Sequence, residues 1–180
     1  MNLETKRLKI VALKHTDISD IHLMNSFESV ARYNTIGIPS DISETEKMLL
    51  PILEEQEKEN PTKFVWTIRK RENDEFLGEV GMNLSSKKYN RGEIYYSLLP
   101  KYWGKGYATE VTKRIIIYGF EVLKLHRIEA GVATENAASI RLLEKIGMIR
   151  EGLRRKVLPI RGTWKDNYMY AILEEDKRDY

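Results

Sequence analysis

No cysteine occurs anywhere in the 180 residues. That excludes disulfides, thiolate metal sites and a cysteine nucleophile, so any covalent catalysis would need another nucleophile. Histidine occurs three times. His15 and His22 flank one short apolar stripe with no partner in sequence reach, and read as surface or cap residues; no metal site is expected. No apolar run reaches membrane-spanning length, and the charged stretch from Met1 to Leu8 lacks a secretory core, so the expected compartment is the cytoplasm and no membrane partner is expected. Excess charge of one sign is also missing. A net charge of +3 is too small to argue for nucleic acid. The charge is nonetheless uneven: Glu54–Glu59 is acidic, whereas Arg150, Arg154, Arg155, Lys156, Arg161 and Lys165 gather late, and both runs read as solvated faces.

What is present is an ordinary globular composition, 42% hydrophobic and 32% charged, in a length that suits one domain, 1–180, with a sizeable core. The chain is organised around residues 94–123. An aromatic strand, Ile94–Leu99, meets Pro100, passes through Trp103-Gly104-Lys105-Gly106 and enters a long helix with Ala108, Val111, Ile115, Tyr118 and Val122 at helical spacing. Two glycines keep side chains away, so successive backbone N–H groups can face one anion at a helix N-terminus, where the dipole and Lys105 add positive potential. A phosphate or pyrophosphate is the expected ligand. The plain alternative is a tight turn that caps the helix.

The remaining elements follow in order. Arg7–Leu13 alternates as a strand, and Thr16 caps a helix carrying Ile18, Ile21 and Met24. Tyr33–Asp41 reads as loop. Ser43–Glu46 fits a capping box for a helix from about Glu44 to Glu57, with a kink or break expected near Leu50 because of Pro51. Phe64–Ile68, Phe76–Leu84 and Glu93–Leu99 read as strands, then His126–Val132 after the central helix. That strand, helix, strand order makes 93–99 and 127–133 parallel neighbours. Asn136 caps a short helix closed by Gly147, and 148–157 and 164–173 form a last hairpin turning through 159–163.

Two segments carry a family resemblance. Lys101-Tyr102-Trp103-Gly104-Lys105-Gly106 resembles Q/R-x-x-G-x-G/A, motif A of the GNAT superfamily of acyl-CoA-dependent N-acyltransferases, with Lys101 in place of the usual first residue. Asn136–Met148 resembles N-x-x-S-x-x-L-x-E-K-x-G-F of the ribosomal-protein alanine N-acetyltransferase (RimJ/RimL-like) branch. Glu151-Gly152, Gly162–Asp166 and Thr5–Leu8 extend the likeness over the whole chain.

The resemblance implies a single α+β GNAT domain with a mixed, mostly antiparallel sheet of six to seven strands, about four helices and a splayed parallel strand pair at the cofactor cleft. It implies acetyl-CoA bound by Leu98, Leu99, Trp103, Gly104, Lys105, Gly106, Tyr107, Ala108, Thr109, Asn136 and Ser139, with backbone of Leu98 and Leu99 free for the pantetheine arm. The implied reaction is attack on the thioester by a primary amine, which must first lose a proton (pKa about 8 at a chain terminus, about 10 on a side chain). A backbone N–H near Leu98 or Leu99 is expected to stabilise the oxyanion.

Glu93 occupies the A/G-E-I-x-Y position of a general-base glutamate; its plain alternative is a salt-bridge partner, and Glu79 is the second choice of base. Ser139 matches the thiolate-facing serine, although it could instead bond backbone. Leu143 stands where many members carry an acidic tyrosine, and Leu158 where the RimL-like branch carries a glutamate. Tyr95, Tyr96, Tyr168 and Tyr170 read as core or sheet-face residues. Trp164 and Asp166 either shape the acceptor site or serve the turn. The loop over 33–41 is expected to overhang the acceptor site.

The acceptor implied by the branch is a protein N-terminal amine, with a polyamine, amino acid or aminoglycoside as the alternative, in a monomer or homodimer. A non-catalytic acyl-CoA-binding module is the competing class. ATP is disfavoured because Gly104-Lys105-Gly106 lacks the following G-K-S/T.

Overall fold

The computed structural model describes residues 2–180, and its centre is one eight-stranded sheet in the order β1-β2-β3-β4-β5-β6-β8-β7. The strands are β1 (Asn2–Glu4), β2 (Leu8–Ala12), β3 (Lys63–Lys70), β4 (Phe76–Leu84), β5 (Arg91–Leu98), β6 (Arg127–Ala133), β7 (Ile149–Ile160) and β8 (Thr163–Leu173). Every neighbouring pair is antiparallel except β5 and β6. The helices are α1 (Ile18–Asn25), α2 (Glu28–Ala31), α3 (Ile42–Gln56), α4 (Tyr107–Glu121) and α5 (Ala137–Lys145). Eight strands and five helices thus exceed the expected count by β1 and α2, both too short for a periodic signal.

Side chains directly opposed across a ladder share a face of the sheet. Thr67, Glu79 and Ser97 are opposed in turn across β3, β4 and β5, and Arg69, two residues on from Thr67, reaches Asp17 and Asp20 at the start of α1 with bonds of 2.7 and 3.0 Å. Their face therefore lies under α1 and α3. On the other face Trp66 meets Tyr118 of α4 edge-on at 5.7 Å, and Tyr170 donates to Glu144 of α5 at 2.9 Å. Helix α4 buries Val111, Ile115, Ile116 and Tyr118 against this face, each contributing roughly 1.5–3 kcal/mol.

Four local expectations give way. Thr16 does not cap α1; it lies inside a 3₁₀ turn, His15–Asp17, that leads into the helix, and Asp17 takes the cap position. Asp41, not Ser43, caps α3 by accepting the Glu44 N–H at 2.9 Å, while Glu44 turns back to Ser40. No break occurs at Pro51; α3 runs through it, and the residue is exposed, so water can serve the carbonyl it leaves unbonded. The hairpin tip is tighter than 159–163, since Arg161 and Gly162 both take positive φ (50° and 72°), the pairing of a two-residue type I′ turn. No helix among the described residues is long and apolar enough to cross a membrane.

Candidate active site

β5 and β6 pair only over Arg91–Glu93 and Arg127–Glu129. Both strands continue beyond that point, to Leu98 and Ala133, without pairing. A cavity of about 360 Å³ occupies the gap. Because side chains alternate along a strand, the gap is lined from both faces of the sheet. On the α4/α5 face stand Tyr96, Asn136, Ser139 and Leu143; on the α1/α3 face stand Glu79, Tyr95, Asn25, Leu49 and the loop Tyr33–Ile36. Two substrates can therefore meet through the sheet.

The backbone edge of β5 is divided in use. Leu99 N–H already donates to Leu77 O at 2.8 Å, across β4, so it is not free for the arm or for an oxyanion. Successive N–H groups alternate in direction, so Leu98 N–H points the other way, into the gap. Leu98 carbonyl accepts the indole N–H of Trp103 at 2.7 Å, which fixes Trp103 at the cleft edge.

At the cleft's end the glycine loop has the geometry an anion needs. Gly104 and Gly106 take φ of 72° and 78°, a region costly for side chains with a Cβ, and a Cβ on Gly104 would meet nothing within 4 Å. The first backbone bond of α4 runs from Glu110 N–H to Gly106 O at 3.1 Å; the N–H groups of Tyr107, Ala108 and Thr109 precede it and have no intrahelical acceptor. These residues, with Lys105, fit a diphosphate. Lys101 does not face the loop, being paired with Glu75 at 2.8 Å.

Arg7 was not anticipated there. Its Nε binds Glu110 Oε2 at 2.6 Å, its Nη1 donates to Lys105 O at 3.1 Å, and its guanidinium covers the Tyr107 ring at 4.2 Å. Burial works against ionisation of Glu110, but bonds from Thr5 and Arg7 outweigh it and hold the carboxyl below its usual range. The β1–β2 turn thus anchors the helix start and brings a cation beside the loop. Thr5-Lys6-Arg7-Leu8 was the available signal.

The two glutamates considered as bases separate. Glu93 is exposed and lies on the paired segment of β5, outside the cavity; five residues of strand, about 16 Å, part it from Leu98. Glu79 lines the cavity at 7% exposure, with no hydrogen bond or ion pair to its carboxylate among the described residues. Burial alone pushes its pKa up to about 7, which suits a proton acceptor near neutrality.

On the opposite face, Asn136 Oδ1 accepts the Ser139 N–H at 3.2 Å and caps α5, leaving its amide N–H₂ for a ligand. The Ser139 hydroxyl makes no hydrogen bond among the described residues, contrary to the backbone-bonding alternative. The Tyr96 hydroxyl is buried and unpartnered. Burial pushes its pKa up to about 12, with Ser139 close enough to pull the other way. Leu143 and Leu158 both line the cavity as apolar wall, while Glu79, Tyr96 and Ser139 are among its lining groups that can exchange a proton, with Tyr33, Thr35, Tyr95 and Ser97.

Comparison with known proteins supplies the family. The Acetyltransferase (GNAT) domain family model matches residues 7–149. The uncharacterized N-acetyltransferase YoaA of Bacillus subtilis is 33% identical over 172 residues, covering 96% of each chain. Among solved structures, ribosomal-protein-S5-alanine acetyltransferase from Vibrio fischeri superposes with a TM-score of 0.83 at 22% identity over 98% of both chains. Spermidine N-acetyltransferase from Vibrio cholerae, in complex with CoA and spermine, gives 0.83 at 23% identity over 94% of this chain and 97% of that one. The chain belongs to the GNAT acetyltransferases and is an acetyl-transferring enzyme that uses acetyl-CoA.

Proposed function

We propose that this enzyme acetylates the terminal α-amine of a polypeptide, with Glu79 as the base. The observation that carries the reading is the lone buried carboxylate of Glu79 on one face of a cavity whose other face holds Ser139 and Tyr96. Acetyl-CoA, when bound, supplies an activated acetyl thioester. Tyr107–Thr109 N–H groups, Lys105 and Arg7 hold its diphosphate end, and the Asn136 amide and the β5 edge orient its arm. Glu79 takes the proton that the attacking amine must lose. Leu98 N–H faces the region where negative charge develops on oxygen, and Ser139, backed by Tyr96, offers a hydrogen bond to the departing sulfur.

The acceptor reading follows from charge. Glu79 is the only carboxylate lining the cavity among the described residues. A polyamine would bring further ammonium groups toward a mainly apolar wall, each costing several kcal/mol if left unpaired. A terminal α-amine brings one. The Asn25 side chain is 1% exposed, lines the cavity and has an unpartnered Nδ2, a donor suited to the carbonyl that follows an α-amine. The segments at 136–148 and 162–166, which resemble the ribosomal-protein alanine N-acetyltransferase branch, support the same acceptor. A small amine such as spermidine is the second reading, favoured by the fold shared with the spermidine enzyme.

Steady-state release of free CoA against N-terminal peptides and a panel of small amines separates the two. Turnover of peptides at the higher kcat/KM is expected. Preference for a polyamine over every peptide would overturn the acceptor reading, and no acceleration by any amine would overturn amine acetylation itself.

A further inference from the structure

The β7–β8 register skips between Arg154, opposite Asn167, and Leu158, opposite Lys165, so three residues of β7 bulge against Asp166 alone. The bulge is held open by the backbone of Lys156, at φ 53°, whose N–H donates to Asp166 Oδ1 at 2.8 Å. The bulge and the paired residue just before it present Arg155 and Lys156 together with Arg154, all exposed and none ion-paired among the described residues. Their basic neighbours are engaged: Arg150 lies over Tyr168, Arg161 pairs with Glu28 and Lys165 with Glu135. Beyond the exposed Val157, Leu158 lines the catalytic cavity. The cavity is also lined by Tyr33–Ile36, and in that loop and at the start of α3 Ile36, Ile38 and Ile42 are about half exposed, at 50%, 49% and 48%. The cavity wall is thus continued in sequence by an exposed apolar segment at 36–42 and an exposed cationic one at 154–156.

We infer that Arg154, Arg155 and Lys156 dock an acidic stretch of the acceptor polypeptide, a few residues beyond the amine that enters the cavity. The inference rests on the polypeptide reading above. Because the bulge takes up the extra residues, Arg154 to Leu158 advances only as far as two residues of β8, roughly 7 Å; with the reach of their own long side chains, the three cations meet acidic residues at about the third to fifth positions of the acceptor. A net charge of only +3 and the exposed isoleucine segment suit a polypeptide better than nucleic acid. Exposed pairs of this kind govern encounter and affinity, not the chemical step.

The test uses the intact enzyme and peptides that share their first two residues but carry Asp, Gln or Lys at positions three to five. The Asp peptide should show a KM about tenfold lower than the Lys peptide, with kcat within about twofold and the difference shrinking in high salt. A variant carrying Arg154→Glu, Arg155→Glu and Lys156→Glu should reverse the preference while its affinity for acetyl-CoA by calorimetry stays unchanged. That reversal is a gain a damaged fold would not give. Equal KM values across the three peptides would overturn the docking, as would inhibition by an RNA oligonucleotide without any preference among the peptides. Turnover of a small amine with no turnover of any peptide would instead overturn the polypeptide reading itself.

Discussion

The two ends of the β5–β6 pair are built oppositely. At the closed end, Arg91 and Arg127 converge on Glu129 at 3.2 and 2.8 Å, Arg127 also pairs with Glu151, and the strands are hydrogen-bonded. At the open end the strands part, and the polar groups around the gap lack partners: Glu79, the Tyr96 hydroxyl and Asn25 Nδ2. The closed end satisfies its charges and so secures the crossover. The open end keeps the Tyr96 hydroxyl and Asn25 Nδ2 buried and unsatisfied at a cost of about 1–3 kcal/mol each, which is expected where a ligand is to complete them. On the proposed mechanism, one end of a single strand pair secures the crossover and the other carries the chemistry.

The sharpest way to break this contrast is Glu79→Gln. Turnover should fall about 10²–10⁴-fold with affinity for acetyl-CoA retained. The same change should raise stability. Burial lifts the folded-state pKa from 4.5 to about 7, so ionisation destabilises the native state progressively between those pH values and fully above them. Glu79→Gln should therefore stabilise the protein by up to about 3 kcal/mol at pH 8 and little at pH 4, as read by thermal melts at both. A loss of stability at pH 8 would show that the carboxylate is held by unrecognised partners.

Gly106→Val comes next. It forces a β-branched residue into positive φ at the start of α4 and should weaken acetyl-CoA binding at least tenfold by calorimetry. Tyr96→Phe, and separately Ser139→Ala, should lower kcat by about 10- to 100-fold with binding of acetyl-CoA unchanged. The closed end should respond the other way: Glu129→Gln should lower the melting temperature by a few degrees, from a loss of about 1–2 kcal/mol, and leave the kcat of the folded enzyme within about twofold. Glu93→Gln should have the smallest effect, leaving both rate and pH profile as they are. A pH-dependent rate loss there would return the base to the closed end.

Much of this contrast was legible in the chain itself. The glycine loop, the crossover, the Asn136 cap and the left-handed Gly147 (φ 87°) are local features with local signatures, and the structure places each where its residues indicate. The non-catalytic reading rested on Leu143 and Leu158; both are cavity wall, and membership of the acetyltransferase family answers it. The choice between Glu79 and Glu93 was harder, because it depends on where two strands stop pairing, a long-range property. A trace of it was present in the glycines flanking Glu79. A Cβ at Gly81 would lie 2.1 Å from the Tyr95 ring and one at Gly78 2.0 Å from Ser97 O, so β5 packs against the β4 segment that carries the glutamate. The orphaned hydroxyl of Tyr96 had no sequence signal, since tyrosines on strands are ordinarily packing residues.

The claim that chemistry occupies the open end is tested most directly by the pH dependence of kcat/KM for the native enzyme beside Glu79→Gln and Glu93→Gln. Native enzyme and Glu93→Gln should both rise through an ionisation near 7, distinct from that of the amine, and Glu79→Gln should lose that limb along with most of its rate. A limb near 7 that survives in Glu79→Gln, or disappears in Glu93→Gln, would contradict the account.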